Sequence, residues 1–153
     1  MIYCRGSVET GPAYATATNK IVNLDFRRYS NFVDTDSAVG CLIIACSNGI
    51  LGTYSHLSQE GITKFDEFLL QLNKEWSDSK PRYGLVGMSK TTILHEPSTS
   101  SIVAKMRSSG YIFSGEVVGG DIIQRNVVMW VDRLVISESS PLTKVVEKVV
   151  NFL

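Results

Sequence analysis

The sequence lacks several features that would point to a class of function. Its 153 residues include 15 basic and 15 acidic side chains, so the formal net charge is zero, and no long run of one sign occurs. This balance favours neither a nucleic acid nor an anionic membrane surface as a partner. The longest apolar run, residues 38–46, is too short to cross a bilayer. We therefore expect no nucleic-acid partner and no membrane insertion.

Cysteine and histidine are also scarce. The three cysteines, Cys4, Cys41 and Cys46, are odd in number and irregularly spaced, which fits neither a disulfide framework nor a zinc site. No signal peptide is recognisable at the N-terminus. We expect a reduced compartment, either the cytoplasm or a host cytosol that is reached by a signal-peptide-independent route. The two histidines are His56 and His95.

The pattern of apolar residues predicts one domain, residues 1–153, with an α+β (mixed α/β) fold. Runs of β-branched and aromatic residues predict strands in the first third and again near residues 111–118 and 127–136. Residues 29–36 fit a loop or an irregular strand. Apolar residues at three- and four-residue steps predict helices over 61–76, after Pro97 and after Pro141. The last predicted helix carries Leu142, Val145, Val146, Val149 and Phe152 on one face.

Residues 40–56, GCLIIACSNGILGTYSH, predict a β-hairpin. Two apolar runs flank Asn48 and Gly49, and Asn-Gly is a strong signal for a two-residue type I′ turn. With these residues at the turn positions, Cys41 lies directly opposite His56. Opposed residues share a face, with Cβ atoms about 4.5–5.5 Å apart. The hairpin therefore predicts that the thiol and the imidazole are neighbours.

A thiol beside an imidazole can act as a nucleophile, because the imidazole takes the thiol proton and stabilises the thiolate. A buried cysteine and a histidine at a strand end are also common without any catalytic role. Cys4 and Cys46 have no histidine placed by local spacing, and we expect both to be inert. His95 precedes a proline in a predicted loop and could also serve a site. Asp34 and Asp36 match neither a metal cage nor an acid–base pair.

The segment that contains the hairpin is similar to a known family. Thr35, five intervening residues, Cys41, a hairpin and then His56 resemble the core of the bacterial chemoreceptor glutamine deamidases, the CheD family. The same Cys–His hairpin resembles that of two glutamine-deamidating toxins, cytotoxic necrotizing factor and Burkholderia lethal factor. Gly40 matches the small residue that these proteins carry before the cysteine. Residues 125–128 resemble the Arg-x-Val segment of the chemoreceptor deamidases.

This resemblance implies a layered β-sandwich of mixed sheets flanked by helices, and a protein glutamine deamidase that hydrolyses the Gln side-chain amide to Glu and ammonia. Cys41 would attack the amide carbon, and His56 would be the general base and then the general acid. Thr35 would orient His56. The backbone N–H groups of Gly40 and Cys41 would form the oxyanion hole.

The resemblance implies no metal and no organic cofactor. The implied substrate is a protein: a chemoreceptor, or a host regulatory protein if the chain is a bacterial toxin or effector. Two other classes stay open at this point. A peptidase, a transglutaminase or an acyltransferase would use the same Cys–His pair, because all of them pass through a thioester. A non-catalytic interaction domain could also carry the same fold.

Overall fold

The computed structural model describes residues 2–6, 18–34, 41–89, 97–119, 124–140 and 143–152 of the chain. These residues form a mixed α+β fold, as the sequence predicts. The strands are β1 (Ile2–Gly6), β2 (Ile21–Asp25), β3 (Tyr29–Asp34), β4 (Leu42–Ser47), β5 (Leu51–Leu57), β6 (Arg82–Ser89), β7 (Ile112–Gly119), β8 (Gln124–Trp130), β9 (Arg133–Ser140) and β10 (Thr143–Asn151). The helices are α1 (Gln59–Thr63), α2 (Phe65–Glu75) and α3 (Thr99–Ser108).

The strands form two five-stranded sheets. The first has the order β1-β3-β8-β9-β10 and is antiparallel, and the second has the order β2-β5-β4-β6-β7 with β6 and β7 parallel. Side chains alternate along β4, so Ile43 and Ala45 join the apolar core between the sheets. Leu42 and Ile44 point the other way and join a second core under the helices. The second sheet is therefore the middle layer.

The helix predicted over residues 61–76 is two helices in the structure. The backbone breaks at Lys64, which caps α1 and precedes α2. The apolar spacing still has the predicted consequence, because Phe65, Leu69 and Leu72 of α2 are buried against the second sheet. Trp76 is also buried, and its indole N–H donates to the hydroxyl of a β5 threonine at 3.0 Å.

The helix predicted after Pro141 is wrong, because this part of the chain is strand β10, paired antiparallel with β9. Four valines fit a strand at least as well as a helix. Burial decides between the two periods over residues 149–152: Val150 and Phe152 are buried, whereas Val149 and Asn151 are exposed, which is an alternation of two residues. The sequence pattern alone was compatible with both readings over this short segment.

Two other predictions are settled by the backbone. Residues 29–34 form the regular strand β3 rather than a loop, and residues 127–136 form the predicted hairpin of β8 and β9. The predicted strand over 13–18 lies outside the described residues except for residue 18. In the described part of the chain, no helix is long and apolar enough to cross a membrane.

Candidate active site

The β4–β5 hairpin turns one residue later than the Asn-Gly signal predicts. The N–H of Asn48 donates to the carbonyl of Leu51 at 3.1 Å, which leaves Gly49 and Ile50 as the two turn positions. A type I′ turn on Asn48 and Gly49 needs positive φ at both, but of these two only Gly49 has it, at 93°. The Asn48 side chain instead accepts from the N–H groups of Ile50 and Leu51 at 2.9 and 2.8 Å.

This shift of the turn changes the register by two residues. Ile43 pairs with His56 and Ala45 pairs with Tyr54, so the predicted direct opposition of Cys41 and His56 is wrong. A shift of two residues preserves the face to which every side chain points. Cys41 and His56 therefore lie on the same face as diagonal neighbours, within reach of each other. This face is the one that packs on the first sheet.

Both the backbone carbonyl and the imidazole ring of His56 make hydrogen bonds. Its carbonyl accepts from the N–H of Asn19 at 2.8 Å, beyond the strand pairing with β4. Its Nδ1 lies 3.1 Å from Oδ2 of Asp34, and only 3% of the His56 side chain is exposed. A ring nitrogen that faces a carboxylate carries the proton, which leaves Nε2 as the nitrogen that can exchange a proton with another group.

Asp34 comes from the other sheet, at the end of β3. Its side chain is fully buried, and the same Oδ2 atom also accepts from the hydroxyl of Tyr54 at 2.5 Å. A buried carboxylate is stable only when donors or cations face it, and His56 and Tyr54 supply them here. Asp34 thus ties β3 of one sheet to β5 of the other at the position of the imidazole.

The sequence interpretation missed Asp34 because a single aspartate at the end of an irregular segment has no motif. The only available signal was its place immediately before Thr35. Thr35 and Gly40 lie outside the described residues, so their predicted roles stay predictions. His95 lies outside them as well. The ring nitrogen Nδ1 of His56 is occupied by Asp34.

Two opposing effects set the pKa of His56. Burial lowers this pKa, whereas hydrogen bonds to Asp34 and Cys41, and the negative charge of both groups, raise it to about 9. His56 is therefore an imidazolium at neutral pH. Cys41 is partly exposed at the start of β4, while His56 and Asp34 are buried behind it. Cys41 is thus the member of the site that is partly accessible to solvent, and the imidazole and the carboxylate beside it are shielded.

Cys46 differs from Cys41 in every respect that matters for reactivity. It belongs to the core under the helices, on the opposite face of β4. Burial raises its pKa to about 12, and a hydrogen bond with Thr53 offsets only part of this effect. Over the described residues, no group of three or more His, Cys, Asp or Glu side chains is arranged to hold a metal ion.

Comparisons of the chain with protein-family models, with curated proteins and with solved structures returned no match. The site consists of a partly exposed thiol, a buried imidazolium and a buried carboxylate, in that order from solvent to core.

Proposed function

We propose that the protein is a cysteine-dependent protein glutamine deamidase. Cys41 is the nucleophile, His56 transfers the protons, and Asp34 is the positioning residue that fixes the imidazole. The observation that carries this proposal is the position of His56, which interacts with the Asp34 carboxylate at 3.1 Å and with the Cys41 thiol. A nucleophile, an acid–base group and an orienting group in this sequence are the parts that acyl transfer through a thioester requires.

In the first half of the reaction the thiolate of Cys41 attacks the carbon of the glutamine side-chain amide. The carbonyl oxygen becomes an oxyanion, for which we propose the backbone N–H groups of Gly40 and Cys41 as donors. His56, protonated because its pKa is raised to about 9, donates its proton to the amide nitrogen. The C–N bond breaks, ammonia leaves, and a thioester joins the substrate to Cys41.

In the second half of the reaction, water hydrolyses the thioester. The neutral imidazole of His56 takes a proton from the water as its oxygen attacks the thioester carbon. The C–S bond breaks and Cys41 leaves as a thiolate beside the imidazolium, which restores the starting state. The new carboxylic acid gives its proton to the released ammonia or to solvent, so that glutamine and water become glutamate and ammonium.

The buried carboxylate of Asp34 keeps the His56 imidazole in one orientation through both halves of the reaction. Asp34 accepts the Nδ1–H bond, and Tyr54 donates its hydroxyl to the same oxygen, so neither the ring nor the carboxylate can turn freely. Nε2 then faces the reacting groups in each step. Thr35, the next residue after Asp34, stays a proposed contributor to this orientation. Amide specificity and a protein substrate are proposed from the resemblance to the chemoreceptor deamidases and the deamidating toxins.

The proposal is tested by mass spectrometry on purified chemoreceptor signalling domains and on a eukaryotic cytosolic extract. Each is incubated with the wild-type protein or with the Cys41→Ser variant. We expect a glutamine-to-glutamate change in the wild-type sample only, with an equal amount of released ammonia. Conversion that persists with Cys41→Ser contradicts the mechanism.

The same samples separate the alternatives. Cleaved backbone bonds would indicate a peptidase, and incorporation of an added primary amine would indicate a transglutaminase. A non-catalytic domain predicts no change in any protein, together with a Cys41 alkylation rate equal to that of a model thiol and unaffected by His56→Ala. This last result would overturn the proposal even without a known substrate.

A further inference from the structure

Arg125 is a charged side chain in the interior of the sandwich. It lies near the start of β8 and is fully buried, and the next two residues that point inward from this strand, Val127 and Met129, belong to the apolar core between the sheets. A guanidinium keeps its charge wherever it is placed in a protein. Burying a positive charge is costly unless anionic groups face it. The groups around the Arg125 guanidinium therefore indicate its function.

The Arg125 side chain reaches the sheet that carries Cys41. Its Nη1 donates to the carbonyl of Gly87 in β6 at 2.8 Å. Gly87 follows Val86, and Val86 pairs with Ile43 of β4, so this carbonyl lies alongside the beginning of β4. Cys41 is two residues before Ile43 and points into the same interior. The guanidinium is therefore at the end of the sandwich where the thiol lies.

One partner of Arg125 is on its own sheet. Glu138 of β9 is the directly paired residue, and it is also buried. The carboxylate of Glu138 is in turn 3.7 Å from Nζ of Lys148, which is partly exposed. Burial lowers the pKa of Arg125, while the charges of Glu138, Tyr54 and Cys41 raise it. The Arg125 guanidinium thus interacts electrostatically with both the Glu138 carboxylate and Cys41.

Among the residues that the structure describes, the charged groups at this end of the core come from five strands in the two sheets. They are the buried Asp34, His56, Arg125 and Glu138 and the partly exposed Lys148, with the titratable hydroxyl of Tyr54 among them. When His56 is protonated, these cations outnumber the carboxylates by one. A single thiolate at Cys41 neutralises that excess, which an uncharged thiol does not do.

We infer that Arg125 is a positioning residue that stabilises the thiolate form of Cys41 from within the core, as a second cation beside His56. Arg125 acts through the sulfur and does not touch substrate. The inference rests on the proposed role of Cys41 as the nucleophile. A neutral side chain could also donate a hydrogen bond to the Gly87 carbonyl, so that bond does not explain why a positive charge is buried here.

The test is the pH dependence of Cys41 alkylation by iodoacetamide, measured on the Cys41 peptide by mass spectrometry so that other cysteines do not contribute. The variant is Arg125→Met combined with Glu138→Gln, which leaves neither partner of the buried pair charged. At pH 6.5 we expect alkylation of Cys41 to be about tenfold slower than in Glu138→Gln alone, because the two proteins differ only in the positive charge of Arg125, which favours the ionised thiol. At pH 10 the two rates should converge, because thiols are then mostly ionised.

Glu138→Gln alone is the second variant, and its effect has the opposite sign. Without the Glu138 carboxylate, less of the positive charge of Arg125 is offset, and the thiolate of Cys41 is stabilised more. The pH of half-maximal alkylation should therefore move below that of the wild type. Arg125→Lys keeps the charge and should stay close to the wild type. A merely structural role of Arg125 predicts that both Arg125 substitutions and Glu138→Gln act in the same direction.

The outcomes separate this inference from the proposed function. If wild-type Cys41 reacts at pH 6.5 no faster than a model thiol, the proposed nucleophile itself fails. If wild-type Cys41 is fast and the double variant, with an unchanged circular dichroism spectrum, reacts as fast as Glu138→Gln alone, only the role of Arg125 is overturned. If the double variant does not fold, the direction of the Glu138→Gln shift decides, and a shift to higher pH overturns the inference.

Discussion

The imidazole of His56 and the carboxylate of Asp34 lie 3.1 Å apart, from Nδ1 to Oδ2, and belong to different sheets of the sandwich. Both side chains are almost completely shielded from water. A contact of this kind needs the two sheets to be packed before it forms, so folding and the proposed chemistry depend on the same pair.

Replacing Asp34 by Asn should leave the packing nearly unchanged but remove the charge that fixes the His56 tautomer. We expect the deamidation rate to fall by about 10²–10⁴-fold, because His56 in the wrong tautomer no longer makes the usual contribution of a well-placed acid–base group. The measurement is single-turnover ammonia release on an identified substrate. Asp66→Asn is the matched control, because that carboxylate is exposed on α2 and pairs only with Lys105 among the described residues. Equal rates for Asp34→Asn and the control would refute the role of Asp34.

Removing the hydroxyl of Tyr54 should destabilise the protein, because the Asp34 carboxylate loses a buried donor. For Tyr54→Phe we expect the free energy of unfolding to drop by about 1–3 kcal/mol, as for hydrogen bonds to charged groups. The measurement is urea denaturation at pH 7. Tyr83→Phe is the control: its buried hydroxyl has no hydrogen-bond partner among the described residues, so its loss should change stability little. A neutral Tyr54→Phe would contradict this account.

His56 should make the stability of the protein depend on pH. Its pKa is higher in the folded protein, about 9, than the ordinary value of 6.5. The folded state therefore binds more protons between these values, and the stabilisation present below pH 6.5 is lost as the pH rises through 9. We expect the free energy of unfolding to fall by about 2–3 kcal/mol over this window.

The measurement is urea denaturation at a series of pH values from 6 to 9.5, for the wild type and for His56→Gln. The variant has no titrating group at this position, so its profile should be flatter by the same amount. A wild-type profile that rises across this window, or a variant with the same slope, would show that the raised pKa does not contribute to stability.

Cys41 and Cys46 should differ in reactivity within one native molecule. At pH 8 iodoacetamide should modify Cys41 and leave Cys46 unmodified, because burial both shields Cys46 and raises its pKa to about 12. In concentrated guanidinium chloride the two should react alike. Peptide-level mass spectrometry distinguishes them, and native labelling of Cys46 at the rate of Cys41 would contradict the structure.

The turn at Gly49 gives a prediction about register. Gly49 has a φ of 93°, and a Cβ atom added there would meet nothing within 4 Å, so Gly49→Ala should cost backbone strain alone. We expect a loss of about 1–2 kcal/mol in the free energy of unfolding. The Cys41 alkylation rate should be unchanged, since Ile43 and His56 stay paired. A large fall in Cys41 reactivity would mean that the pairing register of β4 and β5 depends more on Gly49 than on packing of the apolar faces of the two strands.

The Asn-Gly signal was sufficient to place Cys41 and His56 on one face of a hairpin, although it placed the turn one residue too early. A two-residue turn at either position changes the register only by an even number of residues, so the two side chains stay on the same face. Periodicity failed for β10, because valines spaced along a nine-residue segment satisfy the helical and the extended period alike. Only pairing with β9 and the burial of Val150 distinguish them.

The tertiary structure alone decided which groups surround the thiol. Asp34 and Arg125 lie on β3 and β8 of the first sheet, far in sequence from His56 and from Gly87, which they contact across the sandwich. Local sequence patterns describe neighbours along one strand or one hairpin. A contact between two sheets depends on how the sheets are stacked, which no local period encodes, and it is this stacking that gives His56 its carboxylate and its charge.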